Sequence, residues 1–262
     1  GPINGRLDRS IARRALLSAS SITVRDQVTW SILDQLGVPA AKSVGVCPDI
    51  AFRFAPSSRS RAQEILREVG IGNSVFLAIT PNIRVYESSP LQGGRNVYLE
   101  TMVRLVQHIV AKLQIPVLMI PHEWSRGGND DAWLMDQILT RLDDRRQVFA
   151  LRNRPSAADT KAVIGCAHLL VGSRYHSLIA ALSMRVPCMA ISWSHKYETL
   201  MEAVGLDESV CHAKDLDFQV LWEKTLDLWN ARDELVPRID RAVSQFELDV
   251  SHLFDQVATV IQ

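Results

Sequence analysis

Apolar runs alternate with amphipathic helical patterns along the 262-residue chain, and this alternation is the feature that most restricts its fold. The runs SVFLAIT (74–80), IPVLMIP (115–121) and PCMAIS (187–192) are short and bounded by turn residues, as strands are. Helical patterns separate them, for example at 97–113 and 131–142. Strands that alternate with helices build a parallel sheet. The sequence therefore predicts an α/β fold with a Rossmann-like parallel sheet and helices on both faces.

The same patterns predict the less regular parts of the chain. Helices are expected at 7–19 and 26–36, and an irregular loop at 81–95. The segment FAPSSRSR (54–61) clusters Pro and Ser between two patterned regions, which favours a boundary there. The tail from 215 onward is predicted to form two helices divided near Asn230.

Composition excludes several classes of function. The 29 Lys and Arg residues balance 29 Asp and Glu residues, so no overall positive field favours nucleic acid. No apolar stretch approaches the roughly 20 residues of a membrane span, and the first ten residues lack a signal-peptide pattern, so we expect a cytoplasmic protein. The four cysteines have no zinc-ligand spacing, and no metal site is predicted.

Cationic side chains occur in each of five loops that follow predicted strands. Ligands of open α/β sheets collect at the carboxyl ends of the strands, so these cations predict a site for an anion. The alternative is that solvated loops simply collect Arg and Lys. The residues concerned are Arg84, His122, Arg126, Arg152, Arg154, Arg174, His176, His195 and Lys196.

The stretch LLVGSRYHSL (169–178) is the strongest candidate. Gly172 is expected to permit a tight turn into a helix whose first N–H groups, beside Arg174, would bind phosphate or carboxylate. His176 could donate to that anion or transfer a proton, or it could be a packing histidine. Asp131 is interpreted as the N-cap of the helix at 131–142.

Several segments of the sequence, taken in order, resemble those of a known family. The segment VGSRYHSLIAALSMRVPCMAISWSHKYETLMEAVGL is similar to the C-terminal signature of the polysaccharide pyruvyl transferases, in which G-x-R-x-H links a strand to a helix. Upstream, ITVRDQVTWSILDQLGV followed by PDIAF resembles the family's R-D segment and D-x-A-F turn, and VLMIPHEW resembles its middle strand. Trp193 stands where the family commonly has Tyr.

The resemblance implies a GT-B-like architecture of two domains, of which this chain holds one half. Residues 1–55 would be the last α/β units of a truncated N-terminal domain, because Gly1-Pro2 resembles the end of that domain's core. Residues 56–230 would form the Rossmann-like donor-binding domain. Residues 231–262 would form a helix that packs back toward the N-terminal part.

The resemblance also implies an activity, the transfer of a pyruvyl ketal from phosphoenolpyruvate to a sugar of a cell-surface polysaccharide or its precursor. Arg174 and His176 would be catalytic and contact the donor. Arg84, Lys196, Gly172 and Ser173 are expected as further donor contacts. Phosphoenolpyruvate would be the co-substrate, with no cofactor. A lipid-linked oligosaccharide acceptor would bring the protein to the inner face of the membrane.

Two other functions stay open at this point. A GT-B glycosyltransferase would use the same cations to hold the diphosphate of a nucleotide sugar. A non-catalytic anion-binding fragment would keep the site without the reaction.

Overall fold

The computed structural model describes residues 5–39, 43–125 and 128–261. Gly1-Pro2 and Arg126, which entered the predictions above, lie outside these ranges. The chain divides into two compact units, one within residues 1–53 and 244–262 and the other at residues 54–243. The first division, between Arg53 and Phe54, falls at the start of the FAPSSRSR segment.

The first unit contains a small α/β layer. Helices α1 (Arg6–Ser18) and α2 (Gln27–Gln35) accompany two parallel strands, β1 (Ile22–Val24) and β2 (Ser43–Val46). Asp26 caps α2 by accepting a hydrogen bond from the Thr29 N–H. The apolar side chains of this layer form a core of their own, made of Ile22, Val24, Leu33, Leu36 and Val38.

The second unit is built on a six-stranded sheet in which every pair of neighbours is parallel. The strands are β3 (Leu77–Thr80), β6 (Val117–Met119), β7 (Val148–Ala150), β8 (Leu169–Gly172), β9 (Cys188–Ser192) and β10 (Val210–His212). They lie in the order β10-β9-β8-β3-β6-β7. The four central strands are buried along their whole length, which explains their continuous apolar sequences. A separate hairpin joins β4 (Leu91–Gln92) to β5 (Arg95–Asn96).

Helices cover this sheet in two packed groups, so the predicted Rossmann-like α/β fold is confirmed. The helices are α3 (Arg59–Glu68), α4 (Ile83–Ser88), α5 (Val97–His108, continued by a π-helical turn at Ile109–Leu113), α6 (Asp131–Thr140), α7 (Ala157–Ile164), α8 (Tyr175–Ser183), α9 (Lys196–Ala203) and α10 (Phe218–Ile261). In one group α5 packs against α6, and in the other α7 packs against α3 and α8.

The strand order places a topological switch point between β3 and β8. From β3 the chain adds β6 and β7 on one side, then returns to β8 on the other side and adds β9 and β10 outward. The connections after β3 and β8 therefore diverge and leave a crevice at the carboxyl ends of these two strands. Thr80 and Gly172, the last residues of β3 and β8, are paired at this edge.

The structure differs from the sequence predictions in two regions. The tail is one 44-residue helix with Pro237 inside it, so the predicted division near Asn230 is wrong. A proline costs an interior helix about 3 kcal/mol, and the buried side chains on both sides of it, including Leu228 and Ile239, offset that cost. The predicted loop at 81–95 contains α4 and the hairpin, and β10 was not predicted.

Within the described ranges, no helix combines the length and the apolar character that a membrane crossing requires.

Candidate functional site

A buried carboxylate, Asp131, organises the crevice between β3 and β8. Its side chain has no solvent exposure and accepts hydrogen bonds from the backbone N–H groups of Ile83 (2.9 Å), His122 (3.2 Å) and Glu123 (2.8 Å). Arg174 adds two more, from Nε (2.9 Å) and Nη2 (2.6 Å). A buried carboxylate is tolerated when its oxygens are satisfied in this way, so Asp131 ties three loops together.

Arg174 is therefore held in place by the protein before any ligand binds. Its side chain is 17% exposed, and Nη2 also donates to Glu123 Oε2 at 2.6 Å. Burial lowers the pKa of Arg174, but the hydrogen bonds that Arg174 donates to Asp131 and Glu123 outweigh this effect and raise the pKa overall. Glu123 is 37% exposed and lies between Arg174 and Arg84, whose Nη2 is 3.7 Å from Glu123 Oε1. The predicted anion contact is thus paired with a partly exposed carboxylate, Glu123, and a fully buried one, Asp131.

Asp130, rather than Asp131, is the N-cap of α6, so that sequence prediction is wrong. Asp130 accepts hydrogen bonds from the N–H groups of Trp133 and Ser125, both at 2.8 Å. In a pair of adjacent acidic residues, either one fits the N-cap pattern. The position in the sequence alone could not show that the Asp131 side chain turns inward and binds Arg174.

Ser173 lies in a buried network rather than on the surface of the crevice. Its N–H donates to Thr80 O (3.1 Å), and its hydroxyl is 2.7 Å from the Tyr98 hydroxyl. Its carbonyl accepts from Asn82 Nδ2 (2.6 Å) and the Tyr197 hydroxyl (2.9 Å). Each polar group of Ser173 is engaged within the protein, which fixes the loop between β8 and α8.

Gly172 is required by packing and not by a left-handed backbone, which corrects the predicted reason for this glycine. The positive-φ glycines do not include it. A Cβ built at this position would lie 3.0 Å from both Leu178 Cδ2 and Ser177 Oγ and 3.1 Å from Thr80 Oγ1. The absence of a side chain therefore lets α8 and β3 approach the end of β8.

Two histidines accompany Arg174 in the crevice. His122 is half-buried, and burial lowers its pKa to about 4, against the opposing effect of Asp131. Coulombic interactions with His176 and Arg174 lower the pKa of His122 further. His176 is exposed on the first turn of α8, so the packing alternative for this residue is not supported.

Lys196 lies among aromatic rings at the start of α9. Its Nζ is 4.9 Å from the ring centroid of Tyr175, 5.2 Å from that of Trp193 and 5.6 Å from that of Tyr197. Cation–π attraction of this kind stabilises an ammonium group at a helix start, where the helix dipole opposes it. The predicted donor contact by Lys196 therefore has an aromatic setting that the sequence did not indicate.

The family is decided by comparison with known sequences. A family model described as polysaccharide pyruvyl transferase matches residues 1–195. The chain belongs to the polysaccharide pyruvyl transferase family. Amylovoran biosynthesis protein AmsJ from Erwinia amylovora is 31% identical over 250 residues, which cover 94% of this chain and 60% of that protein. The chain thus spans 60% of the length of this curated relative.

Solved structures of other proteins share the fold. HepE from Anabaena, in complex with UDP and glucose, has a TM-score of 0.63 at 14% identity over 98% of this chain and 67% of that chain. UDP-GlcNAc 2-epimerase from Methanocaldococcus jannaschii has a TM-score of 0.60 at 12% identity over 86% of this chain and 58% of that chain. These similarities, with the parallel sheet, show the Rossmann-like half of a GT-B-type architecture.

In this family member the predicted cations do not all converge on one site. Arg84, His122, Arg174 and His176 lie around the β3/β8 crevice, as described above. Arg152 instead pairs with Asp136 at 2.6 Å. Arg154 lies over the Trp124 ring, 5.4 Å from its centroid. His195 lines a second depression, which we call the outer cleft, beyond the ends of β9 and β10; it has a volume of about 330 Å³ and is also lined by Trp193, Ser194, Glu198, His212 and Lys214.

Proposed function

We propose that this chain binds phosphoenolpyruvate in the β3/β8 crevice and takes part in transferring its pyruvyl unit to a sugar of a surface polysaccharide or its precursor. The observation that carries the proposal is the position of Arg174. It lies at the switch point, at the N-terminal end of α8, with its guanidinium held by Asp131. Family membership supplies the class of reaction.

The reaction needs an anion contact and a proton donor. A proton is added to the methylene carbon of phosphoenolpyruvate, and the central carbon becomes electrophilic. One sugar hydroxyl attacks that carbon, inorganic phosphate leaves, and a second hydroxyl closes the ketal. Of the two hydroxyl protons released, one replaces the proton added to the methylene carbon and the other goes to the phosphate. We assign the anion contact to Arg174, and proton donation or phosphate binding to His176, because these chemistries suit a guanidinium and an imidazole.

The partial exposure of Glu123 gives Arg174 a way to accept a donor. Glu123 is partly exposed, and a carboxylate or phosphate of the donor could replace it on Nη2 with little change in hydrogen-bond geometry. Asp131 is buried and would keep its hold on Nε. Glu123 would then swing toward Arg84, which lies 3.7 Å away on its other side. Arg84 would be an indirect donor contact in this arrangement.

Titration calorimetry of the purified 262-residue chain tests the proposal, with phosphoenolpyruvate and UDP-glucose as separate ligands. We expect saturable binding of phosphoenolpyruvate, and loss of that binding in His176→Ala without a change in the melting temperature, since His176 is exposed. Saturation by UDP-glucose alone would favour the glycosyltransferase alternative. Phosphoenolpyruvate binding that His176→Ala leaves intact would contradict the assigned role of His176.

A further inference from the structure

Arg174 begins α8 without the local support that a helix N-cap usually has. Its backbone is extended, with φ −108° and ψ 125°, and its side chain binds Asp131 and Glu123 instead of capping the helix. A serine or aspartate at this position would fix the turn by accepting a hydrogen bond from a backbone N–H of the first helical turn, but a guanidinium has no acceptor. The backbone at Arg174 therefore depends on groups from other elements.

Tyr197, in the first turn of α9, supplies one of these groups. Its hydroxyl donates a hydrogen bond of 2.9 Å to the carbonyl oxygen of Ser173, which belongs to the peptide unit directly before Arg174. Tyr197 is 1% exposed, so this hydrogen bond is shielded from water. Asn82 Nδ2 donates to the same carbonyl oxygen at 2.6 Å. The carbonyl thus has two donors, one from α9 and one from the loop after β3.

The hydroxyl of Tyr197 also interacts with the peptide unit that follows Arg174. Burial raises the pKa of Tyr197 to about 12, and hydrogen bonds with the Trp193 side chain and the Tyr175 backbone oppose that shift. A hydrogen bond lowers the pKa of a phenol when it is donated to the phenol oxygen, so the Tyr175 N–H is the donor. The rings of Tyr197 and Tyr175 also pack edge to face, with centroids 5.7 Å apart. Tyr197 therefore contacts the peptide units on both sides of Arg174.

We propose that Tyr197 is a positioning residue for Arg174, whose hydroxyl fixes the arginine backbone and so sets the direction of the guanidinium toward Asp131. The guanidinium is the assigned contact of the donor, and a small shift of its backbone would misplace it. Tyr197 is suited to this role because it lies on a helix that is anchored by buried side chains, whereas Arg174 lies where a loop meets α8. An effect on phosphoenolpyruvate rests on the proposed function, but the positioning of Arg174 does not.

Tyr98 offers a matched comparison because its hydroxyl reaches the same serine in a different way. It is 0% exposed, and its hydroxyl lies 2.7 Å from the Ser173 hydroxyl, not from the carbonyl. Tyr98→Phe and Tyr197→Phe therefore remove the same atom from almost equally buried rings. Only Tyr197→Phe removes a hydrogen bond to the main chain beside Arg174. A general loss of a buried hydrogen bond would affect both variants alike.

Hydrogen exchange of the Arg174 Nε–H tests the proposal, measured by NMR in the full 262-residue chain with isotope-labelled arginine. Arg174→Lys assigns the signal by removing it. In the wild type this proton should exchange slowly, because Nε donates to the buried Asp131 carboxylate at 2.9 Å. We expect exchange about tenfold faster in Tyr197→Phe, as loss of one hydrogen bond predicts, and within about twofold of wild type in Tyr98→Phe. The melting temperatures of the two variants should fall by similar amounts.

The affinity of phosphoenolpyruvate for the same proteins, measured by calorimetry, is the second readout. Tyr197→Phe should weaken binding about tenfold, and Tyr98→Phe should change it by less than about twofold. Equal exchange of the Arg174 Nε–H in wild type and Tyr197→Phe would overturn the positioning role, as would equal acceleration in both variants. Faster exchange in Tyr197→Phe alone, in a chain that does not bind phosphoenolpyruvate, would support the positioning role and count against the proposed function alone.

Discussion

The β3/β8 crevice and the outer cleft lie at the same edge of one sheet, yet they satisfy their polar groups in opposite ways. In the crevice, the Asp131 carboxylate is fully buried and accepts five hydrogen bonds. In the outer cleft, Glu198 keeps one oxygen without a partner among the described residues, and Trp193 is half exposed. The comparison shows that the polar groups of the crevice are satisfied by the fold itself, whereas those of the outer cleft are satisfied only in part among the described residues.

Among the substitutions that test this comparison, we expect the largest loss of stability at Asp131. Asp131→Ala leaves the Arg174 guanidinium and three backbone N–H groups without their buried acceptor, so we expect the free energy of unfolding to fall by about 3–5 kcal/mol. Denaturant unfolding of the wild type and the variant measures this difference in free energy. The adjacent Asp130→Ala is the matched control and should cost only about 1–2 kcal/mol, as loss of an N-cap does. Equal losses at the two positions would contradict the central place of Asp131.

His122 should make the crevice sensitive to acid. Burial lowers its pKa from 6.5 to about 4, so between these values the unfolded chain binds a proton that the folded chain does not. Its contribution to stability is present above about pH 6.5 and is lost as the pH falls toward 4, by roughly 2–3 kcal/mol. Comparing unfolding of wild type and His122→Gln at pH 7.5 and pH 4.5 isolates this contribution. Parallel losses of stability in both proteins would show that His122 is not its source.

Gly172→Ala tests the tight packing at the end of β8. The added methyl group meets Leu178, Ser177 and Thr80 at about 3 Å, so a loss of about 1–3 kcal/mol is expected from overpacking. Gly93→Ala, in the exposed hairpin, is a useful contrast because nothing lies near its Cβ and only its positive φ opposes the change. A Gly172→Ala protein as stable as wild type would mean that the crevice can relax.

The smallest effect on stability is expected in the outer cleft. Trp193→Ala removes a half-exposed side chain, so the free energy of unfolding should change by less than about 1 kcal/mol. Thermal unfolding of the variant provides the measurement. A larger loss would show that the indole is part of the core, which would remove the contrast between the two regions.

Much of the fold could be predicted from the sequence because the central strands are buried on both faces. Continuous apolar runs such as 115–121 and 187–192 have few alternative interpretations in an α/β pattern. The continuity of the tail helix could not be predicted, because Pro237 is a local signal against a helix and the packing that overrides it is not local. Strand β10 has three residues and ends at His212, so it lacks an apolar pattern.

The site was predictable only in part. Arg174 and His176 follow a buried strand and a glycine, which is a signal within ten residues of sequence. Asp131 lies 43 residues from Arg174, and the spacing between them carries no pattern. The inward orientation of Asp131 depends on the neighbouring loops, so no sequence signal distinguishes it from Asp130. Glu123 was missed because a single exposed acid in a polar loop is ordinary.

Exchange of Glu123 for the donor on Arg174 is the central claim, and the affinity of phosphoenolpyruvate for Glu123→Gln tests it most directly. Removing the competing charge should tighten binding several-fold, by roughly 1 kcal/mol, as loss of a partly exposed ion pair predicts. Glu87→Gln removes an exposed acid that pairs with Arg84 but does not contact Arg174, so it should leave the affinity within about twofold. Unchanged or weaker binding in Glu123→Gln would contradict the account.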